Sequence, residues 1–275
     1  MKMSLSIMVV FSSVVSYLLS PKIVAFNWEM VGWLLLAGIL VTGSANAINQ
    51  VVEKDTDAQM KRTANRPVAS GRMSEEEGLV FAIVTGAVGI IILTVFFNWL
   101  AALLSIVSLI TYAFIYTPLK KKGSIAVFVG AIPGALPCLI GWVAGNDTLS
   151  AGGWILFALQ FIWQFPHFWA IAWISQDDYS RVSMKLLPNE NSPTKITALQ
   201  TIIYSMILIP IGILPYYFKM SGAISLTIVF ATNLFFVYQC VMLYKKLNKT
   251  AARKVMFGSY IYLAIVLLAF LIDKL

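Results

Sequence analysis

The sequence predicts an all-α, polytopic membrane protein with about nine transmembrane helices, forming one domain over residues 1–275. Three observations carry this reading. Hydrophobic residues make up 59% of the chain and charged residues only 12%, about half the charged share of a soluble globular protein. The apolar residues fall in runs of roughly 18 to 25, long enough to cross a hydrocarbon core as helices. The cations are unevenly placed: of the 20 Lys and Arg residues, all but Lys22, Lys219 and Lys274 lie at the N-terminus or in alternate loops.

Taken in order, the predicted spans cover residues 4–21, 29–51, 79–97, 99–117, 124–145, 153–175, 196–217, 222–244 and 255–272. Helices are the form expected, because backbone in lipid has to satisfy its own hydrogen bonds. The first run has no small-residue cleavage site and reads as a span rather than a removable signal. The second runs directly into an acidic stretch. Ser74 followed by Glu75, Glu76 and Glu77 marks the start of the third, with carboxylates at the positive end of the helix dipole. The fourth ends in "YTPLKKK". In the fifth, "GAIPGALPCLIG" thins or breaks the helix, which either opens a cavity or permits close packing. The sixth carries "WQFPHFW" and ends in "DDYSR". Cys138 and Cys240 both fall inside spans and suggest neither a disulfide framework nor a metal site.

With nine spans, the N-terminus and the loops near 52–78, 118–123, 176–195 and 245–254 share one side. That side holds the excess of cations, so it is expected to be cytoplasmic, with the C-terminus outside and the chain multi-pass in the inner (plasma) membrane. An eight-span arrangement would scramble the bias. The net charge of +8 is accounted for in this way, and nucleic acid is excluded as the partner.

The acidic stretch "NQVVEKDTDAQMKRTANRP", Asn49 to Pro67, gathers Glu53, Asp55 and Asp57 just ahead of Lys61, Arg62 and Arg66. If the second helix continues through it, Asn49, Glu53 and Asp57 stand at i, i+4 and i+8. They then drift by only about 80° and share one face, while Asp55 points elsewhere. Two readings are open. One is a solvated helix end with surface salt bridges. The other is a site, and in either reading Asp57 is expected to be an exposed carboxylate whose removal leaves insertion and folding intact. Asn46, Asn49 and Gln50 lead into the cluster from within the span, where polar groups are costly and face a cavity or partner. Crowded carboxylates suit Mg²⁺, which takes oxygen ligands and shares substrate phosphates. Arg62 and Arg66 suit phosphate oxygens, which arginine binds in bidentate fashion.

A second cluster on the same side places Asp177, Asp178, Tyr179, Arg181 and Lys185 at the end of the sixth span. On a helical wheel Gln160, Gln164, His167, Ser175 and Asp178 fall within about 80°. This polar stripe is either interhelical packing or a cavity wall. His167, the only histidine, is either a packing residue or a ligand. It lies 11 residues from Asp178, roughly 16 Å along the helix, too far to share a metal ion with the rim carboxylates. Tyr116 and Lys120, four residues apart, read as an interface anchor with positive-inside lysines or as part of the same site.

These segments resemble the UbiA superfamily of intramembrane prenyltransferases along nearly the whole chain. Its Asn-x-x-x-Asp-x-x-x-Asp signature reads here Asn49, Glu53, Asp57, with Glu in the middle position. Its Arg-Thr and Arg-Pro pairs match Arg62–Thr63 and Arg66–Pro67. Its Tyr-x-x-x-Lys matches Tyr116 and Lys120, and its second acidic signature matches Asp177 and Asp178 with compressed spacing. Within the superfamily, "NQVVEKDTDAQMKRTANRPVASG", "YTPLKKK" and "WQFPHFWAIAW" look most like the protoheme IX farnesyltransferase family.

That resemblance implies transfer of a farnesyl group from farnesyl diphosphate to haem B, giving haem O and diphosphate, with hand-off of product to a haem A synthase or terminal oxidase. It implies Asn49, Glu53, Asp57, Asp177 and Asp178 as the Mg²⁺–diphosphate machinery. The metal would sit on Glu53, Asp57, Asp177 and Asp178, with Asp55 a weaker candidate. Arg62, Arg66, Tyr116, Lys120, His167, Tyr179, Arg181 and Lys185 would contact substrate. Two alternatives stand beside it: a related prenyltransferase with a quinone-precursor or chlorophyll-like acceptor, and a transporter.

Overall fold

A computed structural model of the chain describes residues 3–120, 122–182, 184, 186–188 and 192–275, with side chains from Ile7 onward. The elements are helical: α1 (Met3–Leu19), α2 (Trp28–Val52), α3 (Lys54–Gln59), α4 (Glu75–Phe96) and α5 (Trp99–Ile110). A π-helical segment (Thr111–Tyr116) then leads into the short α6 (Thr117–Leu119). After it come α7 (Ile125–Asn146), α8 (Ala151–Ile174), α9 (Gln176–Arg181), α10 (Lys195–Tyr217), α11 (Ala223–Lys246) and α12 (Lys249–Ile272). Among the described residues, eight helices are long and apolar enough to cross a membrane, α5 to α6 counting as one. The helix α1, with 17 residues, is shorter and occupies the first of the nine predicted spans. The chain is a multi-pass membrane protein.

Local chemistry fixes the helix starts. Asn27, Asn98 and Asn248 accept backbone N–H bonds at the heads of α2, α5 and α12. Ser74 and Glu77 form a reciprocal capping box at α4, so the acidic run there is indeed a helix start. Small residues set the tightest packing. In α4, Gly78, Ala82, Gly86 and Gly89 are buried while Val80, Phe81, Ile83, Val84, Val88, Ile91 and Val95 are exposed, the face expected toward lipid. The small face meets α2, where Ser44 Oγ donates to Ala82 O at 2.7 Å. A Cβ on Gly86 would lie 2.7 Å from that hydroxyl. Close backbone approach is how helices associate in lipid, which supplies no hydrophobic drive between them.

Two large apolar cores result, with two smaller clusters beside them. One joins α1, α2, α4, α5 and α7; the other joins α1, α7, α8, α10, α11 and α12. The spans α7 and α8 are the most buried and form the partition. Pro133 and Pro137 lie inside α7. A proline at position i leaves the carbonyl of i−4 without its helical donor. For Pro137 that carbonyl is Pro133 O, which accepts from Ser108 Oγ at 3.3 Å. Gln160 Nε2 donates to Gly134 O at 2.8 Å and Gln164 Nε2 to Ala131 O at 3.0 Å. The two glutamines of the polar stripe are thus interhelical donors to the proline-bearing helix, and they line a cavity as well.

Candidate active site

A cavity of about 820 Å³ lies between the two halves, a size within the range of small-molecule sites. Its deeper wall is mainly apolar, with α1, α2, α7, α8 and α12 all contributing and Asn46, Gln160 and Gln164 among the polar exceptions. Its polar end is built where α2 gives way to α3. The second helix does not run through the acidic stretch as one rod. Glu53 leaves helical geometry at φ −101°, ψ 15°. Yet Glu53 N still bonds Asn49 O at 3.0 Å and Asp57 N bonds Glu53 O at 2.7 Å. The four-residue pitch therefore survives the break, and Asn49, Glu53 and Asp57 all line the cavity.

Asn49 and Glu53 are each held from two sides, Asp57 from one. Asn49 Nδ2 donates to Glu53 Oε2 at 2.8 Å. Lys120 Nζ donates to Glu53 Oε1 at 3.0 Å and to Asn49 Oδ1 at 2.9 Å. Asn49 Oδ1 also accepts from Thr117 Oγ1 at 3.3 Å. Arg66 Nη1 donates to Asp57 Oδ2 in a short ion pair. Asp57 is fully buried, which corrects the expectation of an exposed carboxylate: Arg66 folds back nine residues to cover it. Its second oxygen, Oδ1, is buried with no hydrogen-bond partner.

Lys120 reaches this position through the π-helical segment. Pro118 lacks a backbone N–H and its ring crowds the preceding turn. The wider π turn relieves this, with Thr117 N and Thr117 Oγ1 both bonding Tyr112 O. The segment brings Tyr112 and Tyr116 to the cavity and sets the Lys120 ammonium 4.6 Å from the Tyr116 ring centre. Gly130 of α7 makes room, since a Cβ there would lie 2.5 Å from the Tyr116 ring. Arg62 lines the same end, with Nη2 3.5 Å from the Tyr179 hydroxyl. The polar end therefore carries two carboxylates and three cations, a balance suited to an anionic group with several phosphate oxygens.

The second cluster contributes less. Tyr179 and Ser175 line the cavity, but Asp177, Asp178 and Arg181 do not. The backbone pitch carries through Ser175, whose N bonds Ile171 O at 2.9 Å and whose O accepts from Tyr179 N at 3.1 Å, yet it is Tyr179 and not Asp178 that reaches the cavity. Asp177 is largely exposed and accepts from Lys249 Nζ at 2.6 Å. The Lys249 ammonium beside it holds its carboxyl below the usual carboxylate range. Asp55 is exposed and away from the cavity. Lys185 lies outside the described residues.

Among the described residues no three His, Cys, Asp or Glu side chains come together as a metal site. The free Oδ1 of Asp57 fits a cation. Both oxygens of Glu53 already accept hydrogen bonds, so it fits less well. Such a sparse donor set suits Mg²⁺, which takes much of its coordination from substrate phosphates and water.

Deeper in the cavity wall, His167 is buried. Its ring stacks on Trp163 with centroids 4.9 Å apart, and Tyr260 meets it edge-on at 4.6 Å. Nδ1 lies 2.7 Å from Ser259 Oγ, and Nε2 is buried without a partner. Sequence reasoning missed Thr117, Tyr112, Trp163, Ser259 and Tyr260. Thr117 and Tyr112 border the Tyr116–Lys120 pair, whereas Ser259 and Tyr260 sit in the last span with no charge or motif to signal them.

Comparison with known proteins bears on this geometry. The UbiA prenyltransferase family pattern matches residues 9–266. The chain is 42% identical over 274 residues to a protoheme IX farnesyltransferase of Cytophaga hutchinsonii, covering 100% of this chain and 96% of the relative. It is 40% identical over 278 aligned positions to a protein of the same name from Flavobacterium johnsoniae, covering 99% and 92%. Among solved structures, a study of digeranylgeranylglyceryl phosphate synthase provides one with a TM-score of 0.78 at 20% identity, covering 99% of this chain and 98% of that one. A UbiA homologue from Archaeoglobus fulgidus bound to GPP and Mg²⁺ gives 0.69 at 15% identity, covering 97% and 95%. At such identities the likeness is one of fold.

Proposed function

The chain belongs to the UbiA prenyltransferase family, and we propose that it transfers the farnesyl group of farnesyl diphosphate to a vinyl group of haem B, yielding haem O and diphosphate. The observation that carries this reading is the arrangement of the cavity. Paired carboxylates and cations stand at one end, and an apolar, aromatic chamber with a single buried histidine extends behind them. The full-length relatives named protoheme IX farnesyltransferase support the choice of donor and acceptor. They disfavour a quinone-like acceptor and a transporter.

In this reading the diphosphate lies against Lys120, Arg62 and Arg66, with Asn49 donating or accepting at the same end. The allylic C–O bond breaks with its electron pair leaving on the diphosphate, where preorganised cations stabilise the developing charge. Bound Mg²⁺ would supply further charge neutralisation to the leaving group; Asp57 would hold it through Oδ1, with Glu53 beside it. Asp177 and Asp178 would join only through a movement of α9. The apolar wall keeps water from the farnesyl cation. The vinyl π electrons of the porphyrin then attack the farnesyl carbon. Water adds to the cation so formed and loses a proton, leaving a hydroxyethylfarnesyl group. Tyr116 and Tyr179 line the path between donor and acceptor, and His167 contacts the macrocycle. Arg181 and Lys185 are candidates for the propionates. The whole chain acts as one domain, with the cation-rich loops on the cytoplasmic side of the plasma membrane and the product passing to a haem A synthase or terminal oxidase.

The direct test is product analysis. Purified protein in detergent is incubated with haem B, farnesyl diphosphate and Mg²⁺, and the extracted haem is separated and weighed by mass spectrometry. The expected product is heavier by one farnesyl group plus water and is absent with chelator. Unchanged haem, with diphosphate released only when other acceptors are offered, would overturn the choice of acceptor.

A further inference from the structure

We infer that Ser259 is a positioning residue: it fixes His167 with its proton on Nδ1, so that Nε2 offers a bare lone pair to the metal at the centre of the acceptor's macrocycle. The inference rests on haem being the acceptor and goes further, by assigning the ligand atom and the residue that orients it.

A serine hydroxyl has one proton to give. Ser259 Oγ donates it to Met256 O at 2.6 Å, within its own helix. With that proton committed, the 2.7 Å contact with His167 Nδ1 runs with Nδ1–H donating and Ser259 Oγ accepting. The reverse arrangement would put the ring proton on Nε2, which has no acceptor, and orphaned buried N–H groups are rarer and costlier than orphaned acceptors. Ser259 is itself fully buried, and its carbonyl accepts Trp163 Nε1–H at 2.7 Å. One residue of α12 therefore anchors both the imidazole and the indole stacked on it. The ring is held about its axis by the hydrogen bond and in its plane by Trp163 and Tyr260.

A neutral imidazole with one nitrogen tied to an acceptor and the other bare is how histidine is prepared to bind a metal: the bond on the far nitrogen sets the tautomer and raises the basicity of the ligand atom. His167 belongs to the cavity wall, beside Trp163, Phe168, Met256, Tyr260 and Leu263, with Nε2 covered by its neighbours, so iron reaches it as these side chains part. These neighbours are apolar or aromatic, as a flat macrocycle requires. His167 lies seven residues before the end of α8 at Ile174, roughly 10 Å along the helix. Iron anchored at His167 would keep the macrocycle at depth while the diphosphate stays at the polar end.

The test is a haem titration of the full-length protein in detergent, read by optical absorption and by resonance Raman of the reduced complex, in wild type, His167→Ala, Ser259→Ala and Ser259→Thr. Metal-free protoporphyrin IX serves as the second probe. The expected wild-type spectrum shows a nitrogen axial ligand and an iron–histidine stretch. His167→Ala loses both, and added imidazole restores the optical signature. Ser259→Ala binds haem about 10-fold or more weakly, with a shifted iron–histidine stretch. It binds metal-free protoporphyrin as wild type does. Ser259→Thr, which keeps the hydroxyl, restores the stretch. Equal weakening of haem and metal-free porphyrin in Ser259→Ala would reduce Ser259 to a packing residue and overturn the inference. So would a wild-type haem complex without a nitrogen ligand that is still farnesylated, and in that case the acceptor reading stands. Absence of both haem binding and haem farnesylation in wild type would overturn the acceptor reading, and the inference with it.

Discussion

Lys120 Nζ lies 3.0 Å from Glu53 Oε1, with both side chains about one-tenth exposed. The contact joins the end of the fourth span to the end of the second, across 67 residues of sequence. It places a cation where diphosphate charge would develop and also holds a buried carboxylate that would otherwise be unpaired.

Structure and chemistry at this pair can be separated. Lys120→Met leaves Glu53 without its cation, and breaking a buried pair from one side costs about 3–5 kcal/mol. The thermal midpoint in detergent is expected to fall. Adding Glu53→Gln removes the stranded charge and should recover much of that loss. Turnover should stay at least about 100-fold down in both variants, because a charge stabiliser is missing. Recovered turnover in the double variant would confine Lys120 to a structural role.

Asp57 differs in having one committed oxygen and one free. Asp57→Asn keeps the shape and a hydrogen-bonding oxygen but removes the charge available to a cation. Turnover is expected to fall by roughly 100-fold or more, with the remaining activity insensitive to Mg²⁺ concentration. In the wild type, chelation should abolish turnover and added Mg²⁺ restore it. A variant with a normal Mg²⁺ dependence would remove Asp57 from the metal site. Because Asp57 is buried against Arg66, some loss of stability accompanies the change, so activity is to be compared at equal folded fraction.

The first cluster was legible in sequence because helical pitch is a local property. Asn49, Glu53 and Asp57 keep their common face even across the break at Glu53, since the i to i+4 backbone bonds persist. The span order was legible for the same reason, each apolar run being long enough by itself. Asp178 was misplaced because a wheel ranks neighbours by angle alone, and the adjacent Tyr179 takes the position on the cavity. The burial of Asp57 depends on Arg66 turning back through a loop, which periodicity does not encode. Ser259 is a purely tertiary partner, 92 residues from His167, and an uncharged serine in an apolar span leaves no mark in composition.

Gly130 tests whether the Tyr116 ring is placed or merely present. In Gly130→Ala the new Cβ lands 2.5 Å from that ring, which has to shift. The gain in helix propensity, about 1 kcal/mol, offsets overpacking of about 1–3 kcal/mol, so the stability change is expected to be small. Turnover should fall by roughly 10- to 100-fold, the scale of loss from an ångström-sized misplacement. Wild-type turnover would show that the ring's position is immaterial.

Asp177 and Lys249 decide what the second acidic signature does. In this structure Asp177 faces Lys249 rather than the cavity. If its role is to reach the diphosphate site when substrate arrives, the ion pair competes with that role. Asp177→Asn is then expected to lower turnover strongly, while Lys249→Met, which frees the carboxylate, preserves or raises it. Lys249 lowers the Asp177 pKa, so the folded-state contact persists above the usual carboxylate range. It is lost only as pH falls through that lowered value. At neutral pH both variants therefore report on a fully ionised pair. Matching losses in the two would assign the pair to tethering α9 against α12, whereas loss in Asp177→Asn alone would assign the carboxylate to the reaction.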